Sequence, residues 1–103
     1  MLVAATNFAS DTEPPSIHPI NIHDGVSLAG IKKISIKIAD NLSGIKSYNA
    51  NIDGKWVLME WDYKTKVLIY TFDDTVKPGK HIFNLSVSDN KNNLSQFTAN
   101  FYR

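Results

Sequence analysis

The sequence has no cysteine, almost no net charge and no long apolar run. The absence of Cys from its 103 residues excludes disulfide bonds, thiolate zinc sites and cysteine nucleophiles, but it leaves the cellular compartment open. Eleven Lys and Arg against ten Asp and Glu give a formal net charge of +1, whereas nucleic-acid binders usually carry a basic patch. No apolar run approaches the roughly 20 residues of a transmembrane helix. We therefore expect neither a nucleic-acid partner nor insertion into a membrane.

The length and composition predict one small folded domain. Only 20% of the residues are charged, which argues against disorder. Residues 1–16 lack the basic start of a signal peptide, and the polar stretch after residue 5 contains Pro14-Pro15. We interpret residues 1–16 as a linker or a truncated N-terminal segment, cut from something larger, and residues 17–103 as the domain.

The hydrophobic pattern after residue 16 has the period of two that is typical of β-strands. Ile34, Ile36 and Ile38 alternate with polar residues, and similar runs recur along the chain. About seven short strands separated by turn signals every 8–12 residues predict an all-β, seven-stranded antiparallel β-sandwich of Ig-like or fibronectin-III-like topology. Pro19 suits an edge strand because it has no backbone N–H. The predicted core residues are Ile34, Ile36, Ile38, Tyr48, Ile52, Phe83, Leu85, Val87, Phe97 and Phe101.

Asp53-Gly54 predicts a two-residue hairpin turn, because a type I′ turn requires positive φ at both central residues. The return strand is predicted to run from residue 56 to 61. Pairing across this turn would place Ala50 opposite Val57 and Tyr48 opposite Met59. Val57, Met59 and Trp61 would then face the core. The opposite face would carry Trp56, Leu58 and Glu60 beside Asn49 and Asn51.

An outward Trp56 beside amide side chains can stack on a sugar or pack on another domain. The alternative is a one-residue bulge that turns Trp56 and Leu58 inward, because a shift of one residue exchanges the two faces of a strand. Tyr70 is a further candidate contact residue. The candidate interaction surface is therefore Trp56, Leu58, Tyr70, Asn49 and Asn51.

The sequence carries no local signature of catalysis. His18, His23 and His81 form neither His-x-His nor His-Glu-x-x-His spacing, and we interpret them as surface residues. Asp73 and Asp74 are neighbours near a strand end, so they would point to opposite faces rather than flank one bond.

A separate hypothesis concerns calcium binding at two acidic turns. Asp40 and Asp89 each end a strand and precede Asn, so they are candidate calcium ligands, although Asx turns explain both positions without a metal. We predict no cofactor.

Five segments carry a resemblance to a known family: DNLSGIKSY at residues 40–48, DGKWVLME at 53–60, KPGKH at 77–81, VSDN at 87–90 and FYR at 101–103. Together they resemble the C-terminal immunoglobulin-like domain of lysostaphin-like zinc metallopeptidases, the peptidoglycan endopeptidases of the bacterial envelope. The resemblance covers about residues 12–103. One departure is Asn92-Asn93, where such turns commonly have Gly before Asn. Asn tolerates the left-handed conformation, so we expect the turn to survive.

The zinc site of that family, His-x-x-x-Asp with His-x-His, is missing from this sequence. The resemblance therefore implies a non-catalytic accessory module in an extracytoplasmic location, whose partner is a catalytic peptidase domain of the same parent protein. Peptidoglycan or another glycan is a second possible partner. The alternatives left open are an independent glycan-binding module and a spacer of a surface or adhesin protein.

Overall fold

A computed structural model describes residues 13–39 and 44–103, and these ranges contain nine β-strands. Their bounds are β1 Ser16–Pro19, β2 Val26–Ser27, β3 Lys33–Ala39, β4 Ile45–Ile52, β5 Lys55–Val57, β6 Glu60–Asp62, β7 Val67–Thr71, β8 Lys80–Asp89 and β9 Leu94–Tyr102. Within those ranges we find no helix that meets the length and apolarity needed to cross a bilayer.

The strands form two sheets that pack face to face. One sheet has the order β1-β3-β7-β6, and the other has the order β2-β9-β8-β4-β5. All pairings are antiparallel except that of β2 with β9, which is parallel. The predicted all-β antiparallel sandwich is therefore confirmed, with nine strands in the described ranges instead of seven.

The two additional strands have separate origins. The first is β2, a two-residue strand that follows the turn at Gly25, where φ is +85°. The second arises because the predicted return strand at residues 56–61 is not continuous. It divides into β5, which pairs with β4, and β6, which pairs with β7 in the other sheet. The prediction of one strand here, with Tyr48 opposite Met59, is wrong because the chain changes sheets at Leu58 and Met59.

The core lies between the sheets and contains the predicted residues. Eight of them are buried to 4% exposure or less: Ile34, Ile36, Ile38, Ile52, Phe83, Leu85, Val87 and Phe101. Tyr48 and Phe97 are partly buried and pack against this cluster. The core also includes residues that the alternating pattern did not single out, namely Ile22, Leu28, Leu68 and Tyr70.

Two predicted turns have the required backbone conformation. Asp53 and Gly54 have φ of +54° and +82°, as a type I′ turn requires, and β4 pairs with β5 in the predicted register. Asn92, at the position where Gly is common, has φ of +64° and so adopts the left-handed conformation.

The first strand lies at an edge, and the residue just before it packs against the domain. β1 pairs only with β3 and contains Pro19, as expected of an edge strand. Pro15 is buried, and its carbonyl accepts a hydrogen bond from the Ser95 hydroxyl at 2.5 Å. We predicted that Pro15 and Ser16 belong to the linker. In the structure Pro15 is buried and hydrogen-bonded, and Ser16 begins β1, so both residues pack as part of the domain.

Candidate functional site

The change of sheet between β5 and β6 exposes two large apolar side chains. Trp56 pairs with Asn51 and points away from the core, and it is 66% exposed. Leu58 follows β5 at 65% exposed, whereas Met59 is only 4% exposed. No bulge turns Trp56 and Leu58 inward. Trp56 therefore faces outward in the predicted register, whereas Leu58 lies beyond the end of β5, where that register no longer holds.

A cleft of about 390 Å³ lies beside these two side chains, between β5 and the end of β7. Its lining consists of Trp56, Val57, Leu58, Glu60, Tyr70, Thr71, Asp73 and Thr75. The charged residues among them, Glu60 and Asp73, are both acidic. Asp73 Oδ1 accepts hydrogen bonds from the Thr75 amide at 2.9 Å and from the Thr75 hydroxyl at 2.5 Å, and these bonds lower the pKa of Asp73.

Tyr70 differs from the expectation of an exposed contact residue. It is 5% exposed and stacks edge-on against Phe72, with ring centroids 5.3 Å apart. Burial raises the pKa of its hydroxyl above the usual 10.0, and the neighbouring Asp73 charge adds to this effect. Tyr70 belongs to the core because the alternation of β7 places it inward with Leu68, so only part of its surface lines the cleft.

A second cleft, of about 310 Å³, lies on the other side of Trp56. Its lining consists of Ile52, Asp53, Lys55, Trp56, Val57, Thr75, Val76 and His81. His81 Nδ1 lies 2.6 Å from Asp53 Oδ2, and Nε2 lies 2.5 Å from the carbonyl oxygen of Lys77. A carboxylate and a carbonyl only accept hydrogen bonds, so both ring nitrogens donate, as in protonated imidazole.

The electrostatics of this pair agree with the geometry. Burial lowers the pKa of His81, but the hydrogen bonds to Asp53 and the Lys77 carbonyl, together with the Asp53 charge, raise it above 6.5 overall. The hydrogen bond from His81 holds the pKa of Asp53 below 3.8, helped by the backbone amide of Ile82. The pair ties the β4–β5 turn to β8 and thereby fixes the strand that carries Trp56.

Asn49 and Asn51 lie on the outer face of the five-stranded sheet, as the register predicted. Asn49 is exposed and Asn51 is half-buried. Asn51 Oδ1 accepts a hydrogen bond from Asn84 Nδ2 at 3.1 Å, and Asn84 Oδ1 accepts one from the Thr98 hydroxyl at 2.7 Å. Asn51 thus joins the candidate surface to neighbouring strands.

Hydrogen bonds within the turn explain the acidic residue at Asp89 without a metal ion. Asp89 is fully buried; its Oδ1 accepts from the amides of Lys91 and Asn93, and its Oδ2 accepts from Asn93 Nδ2, each at 2.9 Å. These are the bonds of an Asx-type turn. Asp40, the other calcium candidate, lies outside the described residues.

The three histidines lie on different segments of the fold. His18 lies on the edge strand β1, His23 precedes β2, and His81 is held by Asp53. Across residues 13–39 and 44–103, no three His, Asp or Glu side chains come together as a metal site would require.

Sequence reasoning missed several residues of the clefts. Glu60 was placed on the exposed face, but its proximity to Asp73 and Thr75 follows from the sheet change, which strand alternation does not reveal. The Asp53–His81 pair joins residues 28 positions apart. No local pattern in the sequence indicates this pair.

Comparison with known proteins identifies the fold. No protein-family model matches the chain, and no curated protein is significantly similar. The structure of the endo-beta-1,4-mannanase from Thermotoga petrophila matches with a TM-score of 0.67 and 13% identity, over 93% of this chain and 21% of that one. The fibronectin(III)-like modules of Clostridium thermocellum CbhA match with a TM-score of 0.61 and 12% identity, over 85% of this chain and 45% of that one.

At these identities the comparisons establish the fold. The domain is an Ig-like, fibronectin-III-like β-sandwich. The chain spans about a fifth of the mannanase and less than half of the CbhA structure, so in both it matches one part of a longer polypeptide.

Proposed function

We propose that this chain is a non-catalytic accessory module that positions the catalytic domain of a larger bacterial enzyme outside the cytoplasm. The observation that carries the proposal is the exposure of Trp56 and Leu58, 66% and 65%, beside a cleft. Exposed apolar side chains that lie together commonly mark an interaction site. Both structural neighbours contain this fold as one part of a longer chain, which agrees with a modular role.

The sequence resemblance indicates the parent enzyme. The segments at residues 40–48 and 53–60 resemble the C-terminal domain of peptidoglycan endopeptidases, so we propose a zinc peptidase domain as the covalent partner. Removing Trp56 and Leu58 from water against that domain would contribute roughly 1.5–3 kcal/mol each, enough to hold two linked domains in one orientation.

The parent enzyme with and without this module tests the proposal. We expect removal of the module to lower peptidoglycan turnover or the stability of the catalytic domain. In the intact enzyme, the double variant Trp56→Ala with Leu58→Ser should have the same effect. Tyr63→Ala is the matched control, because Tyr63 is 67% exposed but lies in the β6–β7 turn. Equal turnover and equal stability with and without the module would refute a positioning role.

A second candidate function is glycan binding by the module itself, favoured by the exposed indole of Trp56. A flat aromatic ring can cover the C–H face of a sugar while neighbouring amides bond its hydroxyls. Titration of peptidoglycan fragments, followed by tryptophan fluorescence, tests this candidate. A signal that stays constant at saturating ligand would exclude it.

A further inference from the structure

The outer face of the five-stranded sheet carries an uncharged row of polar side chains that ends at Trp56. Strand pairing aligns Thr98 on β9 with Asn84 on β8, Asn84 with Asn51 on β4, and Asn51 with Trp56 on β5. Directly paired residues point to the same face, so these four side chains lie side by side. Three spacings of about 4.8 Å give the row a length of about 14 Å.

A second row of the same chemistry runs beside the first. Gln96 pairs with Ser86, and Ser86 pairs with Asn49. Residues two apart on a strand are about 6.8 Å apart, so the two rows form one continuous surface. We call this surface the amide face, and it consists of Asn49, Asn51, Asn84, Ser86, Gln96 and Thr98.

The charged residues of these strands lie at the strand ends; Lys80 is on the same side of β8 as Asn84, but Ile82 separates it from the amide face. β9 has none from Leu94 to Tyr102. Lys46 lies at the irregularity of β4 and donates to Asn92 Oδ1, Lys55 adjoins the β4–β5 turn, and Lys80 begins β8. The amide face therefore offers a ligand amides and hydroxyls but no formal charge.

The hydrogen bonds of the first row hold its amides in one orientation. The Thr98 hydroxyl donates to Asn84 Oδ1 at 2.7 Å, and Asn84 Nδ2 donates to Asn51 Oδ1 at 3.1 Å. Fixing these side chains before a ligand arrives reduces the entropy lost on binding. Amides and hydroxyls both donate and accept, as sugar hydroxyls do, whereas an anionic ligand would require Arg or Lys.

We propose that the amide face, with Trp56 at its edge, binds a neutral polysaccharide. Trp56 stacks on the C–H face of one sugar ring, and the amides and hydroxyls bond the rims of the adjoining rings. A protein partner fits less well, because the centre of a protein interface is apolar. This inference rests on the glycan-binding candidate described above and assigns its ligand class and its surface.

Retention of the protein on insoluble polysaccharides tests the ligand class. The neutral probes are cellulose, mannan and chitin, and the cationic probe is chitosan. We expect retention on at least one neutral probe, unchanged at about 1 M salt, where the Debye length is about 3 Å. Retention on none of the neutral probes would overturn this inference, whereas the glycan-binding candidate is excluded only if the peptidoglycan titration also gives a constant signal. Retention on chitosan alone, lost in salt, would place an amine-bearing ligand in the cleft with Glu60 and Asp73 instead.

Point variants then test the surface. Trp56→Ala and the near-isosteric Thr98→Val should each weaken binding to the retained polysaccharide roughly tenfold or more, because the first removes the stacking ring and the second removes the hydroxyl that orients Asn84. Tyr63→Ala should leave binding unchanged. A Trp61→Phe background leaves Trp56 as the sole indole, so its fluorescence reports contact with the ligand directly. Binding that survives Trp56→Ala and Thr98→Val but falls in Glu60→Gln would refute the amide face while leaving glycan binding intact.

Discussion

At the scale of single residues, His81 shows how a side chain in a cleft can have a structural task. Both of its ring nitrogens meet acceptors, Asp53 on one side and the Lys77 carbonyl on the other. The protonated ring satisfies both contacts, and neutral imidazole satisfies only one. The charge state of His81 therefore affects the attachment of the β4–β5 turn to β8.

This pair predicts a stability optimum between pH 3.8 and 6.5. The contribution of Asp53 is complete above 3.8 and is lost as the pH falls through its lower folded pKa. The contribution of His81 is complete below 6.5 and is lost as the pH rises through its higher folded pKa. We expect a loss of about 1 kcal/mol above this window, because Asp53 is half-exposed and solvent screens the pair.

Urea unfolding across the pH range measures this effect. His81→Gln should remove the decline at the alkaline side, and His18→Gln, an exposed histidine on β1, is the matched control. An unchanged pH profile in His81→Gln would contradict the prediction.

Asn92 provides a second test at this scale. Its φ of +64° lies in the left-handed region, which costs most residues about 1–2 kcal/mol. We therefore expect Asn92→Ala to lower the free energy of unfolding by about 1 kcal/mol more than Asn92→Gly does. Both variants lose the contact with Lys46 Nζ, so the difference between them isolates the backbone. Equal stability of the two variants, by thermal melting, would show that the backbone conformation does not matter.

At the scale of elements, two neighbouring residues differ sharply in burial where the chain changes sheets between β5 and β6. Met59 is buried at 4% exposure, and Leu58 is 65% exposed. Met59→Ala should destabilise the fold by about 2–5 kcal/mol, because it leaves a cavity. Leu58→Ala should change stability by about 0.5 kcal/mol or less. Denaturant unfolding of both variants gives the comparison, and similar losses would mean that the chain does not change sheets there.

The elements also show how far local sequence determines this fold. The alternation of Ile34, Ile36 and Ile38 and the turn at Asp53-Gly54 were enough to predict strands, faces and register, because both signals are local. The crossing at Leu58 and Met59 was not predictable in this way. A strand that continues and a strand that changes sheets have the same alternating pattern.

The candidate site, like the fold, was predictable only where a local pattern determines which way a side chain faces. The faces of Trp56, Asn49 and Asn51 follow from one hairpin, whereas Leu58 lies beyond it, where the chain changes sheets. The inward position of Tyr70 agrees with the alternation of β7, so its choice as an exposed contact residue was avoidable. The cleft beside it depends on the loop that contains Thr75, and alternation within a strand carries no information about that contact.

At the scale of the whole molecule, one core joins the two sheets. Ile36 and Leu85 lie in opposite sheets and are 0% and 1% exposed. Ile36→Asp or Leu85→Asp should each abolish the folded state, because an unpaired carboxylate would be buried. Lys37→Asp, an adjacent exposed position, should remain folded. Circular dichroism and one-dimensional NMR distinguish these outcomes, and a folded Ile36→Asp variant would be inconsistent with a single shared core.

The parallel pairing of β2 with β9 has a consequence for biosynthesis. Val26 meets Phe101, a residue that leaves the ribosome 75 residues later, so this edge of the sheet cannot close early in translation. The hairpins can form as they emerge from the ribosome, but Leu28 cannot be fully buried until β9 has been made. Newly made chains will therefore expose Leu28 until β9 has been made, and this is the segment on which a chaperone would be expected to act.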